Sequence, residues 1–153
     1  QKAFRLLDSL VGLSLDQEIF VDTESTLFDQ VKEITFRRQM TNSTNDLVIE
    51  EEVDLVRERL TLDSYFYKMR TQEELSEEQK KLYVILGDVN PDYALKYMTS
   101  FLLKFTRKER VIQRRSDIFV EALVILGFLE QVAPQTYALT MEVDPEQLIF
   151  RKI

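Results

Sequence analysis

Histidine, cysteine and tryptophan are all missing from this chain of 153 residues, and glycine occurs only at Gly12, Gly87 and Gly127. Each absence removes a class of chemistry. Without histidine or cysteine there is no imidazole base, no thiolate nucleophile and no Cys/His metal site, so the familiar nucleophilic triads have no base to work with. Three scattered glycines make no phosphate-cradling loop. A disulfide-stapled secreted scaffold is excluded for want of cysteine. No apolar run approaches the roughly 20 residues that span a bilayer, and the nearest, Ile118 to Leu129, is interrupted by Glu121.

What is present is enough apolar material for a core: 44% of the residues are hydrophobic, with ten Phe and six Tyr. That composition reads as a folded domain rather than a disordered one. The formal net charge is −7, and the stretch Asp46 to Glu78 by itself carries a charge of −7. An acidic balance argues against wholesale phosphate binding. Asn42-Ser43-Thr44 matches the glycosylation acceptor pattern, a tripeptide common by chance. With no secretory leader in view, the expected location is cytoplasmic, or nuclear in a eukaryote, with no membrane partner. A start on Gln1 rather than Met suggests a piece of a longer protein.

Helical spacing of apolar residues predicts a mainly α fold. One helix is expected over Ala3 to Val11 and another from Thr26 to about Arg38, with Leu27, Val31 and Ile34 inward. The polar stretch Met40 to Asp46 reads as a loop. A long amphipathic helix is expected from Leu47 to Met69, where Ile49, Val53, Val56, Leu60 and Tyr67 recur at helical spacing. Its acidic face is either a solvated surface or a docking surface for a basic partner. Ser76-Glu77-Glu78-Gln79 is a capping box opening a helix that ends at Gly87. Asn90-Pro91-Asp92 opens another, with Asn as N-cap, Pro at the first helical position and Ala94, Tyr97, Met98, Phe101, Leu102 and Phe105 on its core face.

Beyond Phe105, the capping-box pattern Thr106-Arg107-Lys108-Glu109 predicts a short helix bearing Val111 and Ile112 inward. Ser116 is expected to cap a nearly buried helix from Ile118 to Leu126, stopped by Gly127. Alternation then takes over, and Phe128 to Val132 and Thr136 to Thr140 flank Ala133-Pro134-Gln135 as a hairpin. A last run, Gln147 to Arg151, supplies a possible third strand. Three helices followed by a hairpin resemble a winged helix-turn-helix over roughly Asn90 to Thr140. The expected architecture is therefore a multi-helix domain with a C-terminal winged-helix-like unit, organised as residues 1–89 and 90–153.

The resemblance would put Ile118 to Leu126 where DNA-binding members read bases with Arg, Lys, Asn or Gln. Here Asp117 and Glu121 stand in those places, so base reading is not expected. Positive charge gathers upstream instead, at Lys104, Arg107, Lys108, Arg110, Arg114 and Arg115. Two of these would oppose the macrodipole in the first turn of their helix. They either meet phosphates or an acidic partner, or pair with the chain's own Glu50 to Glu58. Tyr65, Phe66 and Met69 cluster on one helical turn, and are either core residues covered by the N-terminal helices or, where exposed, the candidate protein-partner patch. The expected function is a non-catalytic protein-protein interaction module, a subunit or domain of a larger assembly or a homo-oligomer. The alternative is a nucleic-acid-binding, transcription- or chromosome-associated protein using Lys104 to Arg115 on phosphates. No enzyme activity, cofactor, metal or small-molecule substrate is expected.

Overall fold

The structure, a computed structural model, describes residues 30–31 and 33–153. The helix expected over Ala3 to Val11, the run Glu18 to Asp22 and the expected cap at Thr26 lie outside the described residues. In chain order come β1 (Thr35–Met40), β2 (Val48–Asp54), α1 (Leu62–Thr71), α2 (Glu77–Leu86), α3 (Pro91–Leu103) and a 3-10 turn (Lys104–Thr106). They are followed by β3 (Arg110–Ile112), α4 (Ile118–Ile125), β4 (Leu129–Ala133), β5 (Thr136–Leu139), β6 (Glu142–Asp144) and β7 (Ile149–Arg151). Among the described residues these elements make a mixed α/β fold with two sheets, which overturns the mainly α expectation.

The first sheet has the order β1-β2-β7-β6. Strands β1 and β2 form an antiparallel hairpin in which Arg37 faces Glu52 and Gln39 faces Glu50. On its other side β2 runs parallel to β7, with Ile49 opposite Phe150. The long helix expected from Leu47 to Met69 is therefore two elements: a strand, a connection, and α1 starting only at Leu62. Ile49 and Val53 are fully buried, but in a strand's two-residue rhythm Val53 lies on the same face as Ile49 just as it would in a helix. The four-residue spacing fits both periods, and the consecutive glutamates favour helix locally. Pairing with both β1 and β7 decides for the strand. Likewise Thr35 to Arg38, read as the end of a helix, are the first four of the six residues of β1.

The second sheet has the order β3-β5-β4. The expected hairpin forms, with β4 and β5 antiparallel and Gln135 at a φ of 58° in the turn. The expected helix after Thr106 does not. The Thr106 hydroxyl donates back to the Leu103 carbonyl instead of capping a new helix, and Arg110 to Ile112 pairs with Thr136 to Ala138. Alternation explains the outcome: Val111 is buried while Arg110 and Ile112 face solvent. One helix, α4, stands between β3 and β4, so the helix-turn-helix of the expected winged unit is not formed. Its cap is Asp117 rather than Ser116, accepting from the N–H groups of Phe119 and Val120. The final run Ile149–Arg151 is a strand, but it joins the first sheet.

A continuous apolar core links the two sheets. It includes Leu47, Ile49 and Phe150 from the first sheet, Tyr65 from α1, Met98 and Leu102 from α3, and Leu123 and Phe128 around α4. Two helix starts are built as expected. Ser76 and Gln79 form the capping box, with Gln79 Oε1 accepting from the Ser76 N–H. Asn90 Oδ1 accepts from the amides of Asp92 and Tyr93. Among the described residues, no helix is long and apolar enough to cross a membrane.

Candidate functional site

Around the first sheet, charge is turned inward and neutralised. Successive residues of β2 point to opposite faces, so Glu50 and Glu51 lead separate lives. Glu50 accepts from Gln39 at 3.0 Å and from the Arg151 guanidinium, with Arg37 at 3.7 Å. The Arg151 hydrogen bond, then that of Gln39, holds its carboxyl below the usual carboxylate range. Glu51, 2% exposed, accepts from the Leu62 and Asp63 amides at 2.8 and 3.0 Å, binding β2 to the start of α1. Burial pushes its carboxyl up to about 7 despite those two hydrogen bonds. Asp63 receives Arg38 and Arg57, and the buried Lys68 reaches Glu58 at 2.9 Å. The acidic stretch is thus mostly occupied with the fold's own polar groups.

The six cations of the C-terminal half are treated differently. Lys104, Arg107, Lys108, Arg110, Arg114 and Arg115 are all exposed. None of them lies within 4 Å of a described carboxylate, whereas Arg37, Arg38, Arg57, Lys68, Lys80 and Arg151 each do. The pairing with Glu50 to Glu58 that would have given them an internal role is absent among the described residues. Nor do Arg107 and Lys108 sit in a helix first turn; they follow the 3-10 turn, so the macrodipole conflict expected from the sequence does not arise. Lys104, Arg107, Lys108 and Arg110, with Val111 and Ile112, line a surface hollow of about 390 Å³.

The loop carrying Arg114 and Arg115 is fastened by backbone contacts rather than by its charges. The Gln113 N–H donates to the Gln135 carbonyl at 2.8 Å, and Gln135 Nε2 returns a hydrogen bond to the Arg114 carbonyl at 3.0 Å. Gln113 Nε2 donates to the Arg115 carbonyl at 3.1 Å. The hairpin tip therefore fixes the loop while both guanidinium groups stay in solvent. Asp117 occupies the first amides of α4, so that helix start is closed to an outside anion.

The aromatic patch expected on one turn of α1 is core. Tyr65 is 0% exposed with its hydroxyl donating to the Gly87 carbonyl, and Phe66 is 5% exposed. Met69 is half-buried, and with Met40, Phe66, Val89 and Leu95 it lines an open apolar trough of about 620 Å³. The exposed aromatics lie elsewhere. Tyr93 and Tyr97, one helical turn apart on α3, are 52% and 40% exposed. Tyr97 lies nearly parallel to Phe119 at the start of α4, with centroids 5.4 Å apart, and Tyr93 packs edge-on against Tyr97 at 4.8 Å. Lys96 Nζ stands 5.5 Å from the Tyr97 ring. Sequence reasoning placed Tyr97 in the core face of α3. The signal for its exposure was the polar company of Asp92, Lys96 and Ser100 on the same helix.

The acceptor asparagine of Asn42-Ser43-Thr44 is engaged within its own loop. Its amide nitrogen donates to Asn45 and to the Leu47 carbonyl, and its oxygen accepts from the Thr44 and Asn45 amides. Compared with known proteins, the chain matches no family, no curated protein and no solved structure.

Proposed function

We propose that this protein is a non-catalytic interaction module, a subunit or domain of a larger assembly, and that its C-terminal half carries the contact. The observation that supports the reading is the exposed basic surface from Lys104 to Arg115, without ion-pair partners among the described residues. Such a surface gains no ion-pair stabilisation from the described residues, and it attracts an anionic partner over a Debye length of about 8 Å at physiological salt. The loop and hairpin fix the main chain that carries the arginines, so little backbone ordering is left to lose on binding, which favours affinity. Arginine adds a planar fork that matches carboxylate or phosphate oxygens two at a time.

Acetylation footprinting of the protein in its native assembly, read by mass spectrometry, tests this directly. Lys104 and Lys108 are expected to be shielded from the reagent in the assembly and to regain full labelling in the Arg114→Glu/Arg115→Glu protein. Labelling of both lysines that does not differ between the assembly and the isolated chain would contradict the reading.

A further inference from the structure

Resting on that reading, we infer that the anionic partner is single-stranded nucleic acid, held by its phosphates on Lys104 to Arg115 and by base stacking on Tyr93 and Tyr97. Two independent features converge on this choice over an acidic protein. The first is the make-up of the basic surface. From Lys104 to Arg115 six cations are diluted only by Glu109, and Ile112, 60% exposed, is the one exposed large apolar side chain among them. A protein interface is organised around a buried aromatic or aliphatic centre, which this surface does not supply, whereas a phosphate backbone asks mainly for cations.

The second feature is the aromatic pair. Tyr97 packs one ring face on Phe119, Tyr93 stands edge-on to both and Lys96 lies beside Tyr97, so the outward parts of the two rings, which are 52% and 40% exposed for Tyr93 and Tyr97, are what a base can meet. Phe119 follows Arg115 by four residues, so the two Cα atoms are at most about 15 Å apart. Stacked bases and contacted phosphates of one short strand can therefore fall on the two features together. Duplex DNA hides its base faces and gains only the phosphate contacts, so the arrangement favours the single strand. Sequence is not read. On α4 the exposed side chains are Ile118 and Glu121, neither of which donates to a base edge.

The test is fluorescence anisotropy with the full chain and three labelled probes: a 20-nucleotide oligo-dT, a 20-nucleotide oligo-U and a 20-base-pair duplex, at 50 and 150 mM salt. Unlabelled poly-glutamate serves as competitor. Both single strands are expected to bind more tightly than the duplex, and both to weaken at the higher salt. Arg114→Glu/Arg115→Glu should abolish binding to all three probes. Tyr93→Ala/Tyr97→Ala should weaken single-strand binding by roughly tenfold, the scale of losing stacking on one or two bases, and leave the duplex unchanged. No oligonucleotide binding at 50 mM salt overturns the inference, as does binding unaffected by the arginine reversal. Poly-glutamate binding without oligonucleotide binding overturns it too, but leaves the interaction reading standing with an acidic protein as partner. Failure of every polyanion, together with labelling of Lys104 and Lys108 that the assembly leaves unchanged, defeats both.

Discussion

The two sheets of this molecule use charge in opposite ways. Around β1, β2 and β7, carboxylates enter the interior and are matched there: Glu50 by Arg151 and Gln39, Glu51 by two amides of α1, Asp63 by Arg38 and Arg57. Around β3 and the loop that follows it, six cations stand in solvent with no described carboxylate in reach. A residue type therefore says little about its job. The same residue type that closes a polar network at position 57 has no ion-pair partner among the described residues at 114. Charge that the fold does not consume is the charge left over for a partner.

The largest expected effect that sharpens this contrast lies in the core. Tyr65→Ala, in a fully buried site, should cost about 3–5 kcal/mol in urea unfolding, as befits a core residue and not a partner contact. Loss of under 1 kcal/mol would return Tyr65 to the surface. Next comes the polar interior. Gln79 is fully buried and donates to the Arg57 and Arg59 carbonyls while closing the capping box. Gln79→Leu strands those groups and should cost about 2–3 kcal/mol.

Glu51 gives the first sheet a pH signature. Its folded value of about 7 lies above the ordinary 4.5. The stability linked to this group is therefore complete below pH 4.5 and is lost as pH rises through 7. Between pH 4.5 and 8 the loss amounts to roughly 3 kcal/mol. Glu51→Gln should flatten that slope in urea melts taken across the range, and an unchanged slope would assign it elsewhere. Glu50, held low by Arg151, works in the opposite direction: its stabilisation is present above the ordinary range and lost as the solution turns acid. The smallest expected effect is at the other pole. Arg114→Glu/Arg115→Glu should shift stability by no more than about 0.5 kcal/mol. A loss of 2 kcal/mol would show that these arginines serve the fold after all.

The sequence made some of this legible and hid the rest for physical reasons. Helix starts with local caps, at Ser76 and Asn90, stand as read, because the groups that define them lie within three residues. The hairpin around Pro134 is equally local. Strand β2 was not legible, since its decisive partner β7 lies about a hundred residues further on. Strand β3 was masked by a cap pattern at Thr106 that long-range pairing with β5 overrides. The six cations were visible as a cluster in the chain. Their lack of ion-pair partners among the described residues was not, because ion pairing depends on which elements the fold brings together. Tyr93 and Tyr97 became a surface feature only once Phe119 was packed beneath them.

The central claim is that the Lys104 to Arg115 surface is free to meet phosphates, and the salt dependence of oligo-dT binding measures it most directly. Three to six neutralised phosphates predict that log K falls against log salt with a slope of roughly −2 to −4. The same titration of Arg114→Glu/Arg115→Glu is expected to show no measurable binding. A slope near zero, or a wild-type slope retained after the reversal, would contradict the account.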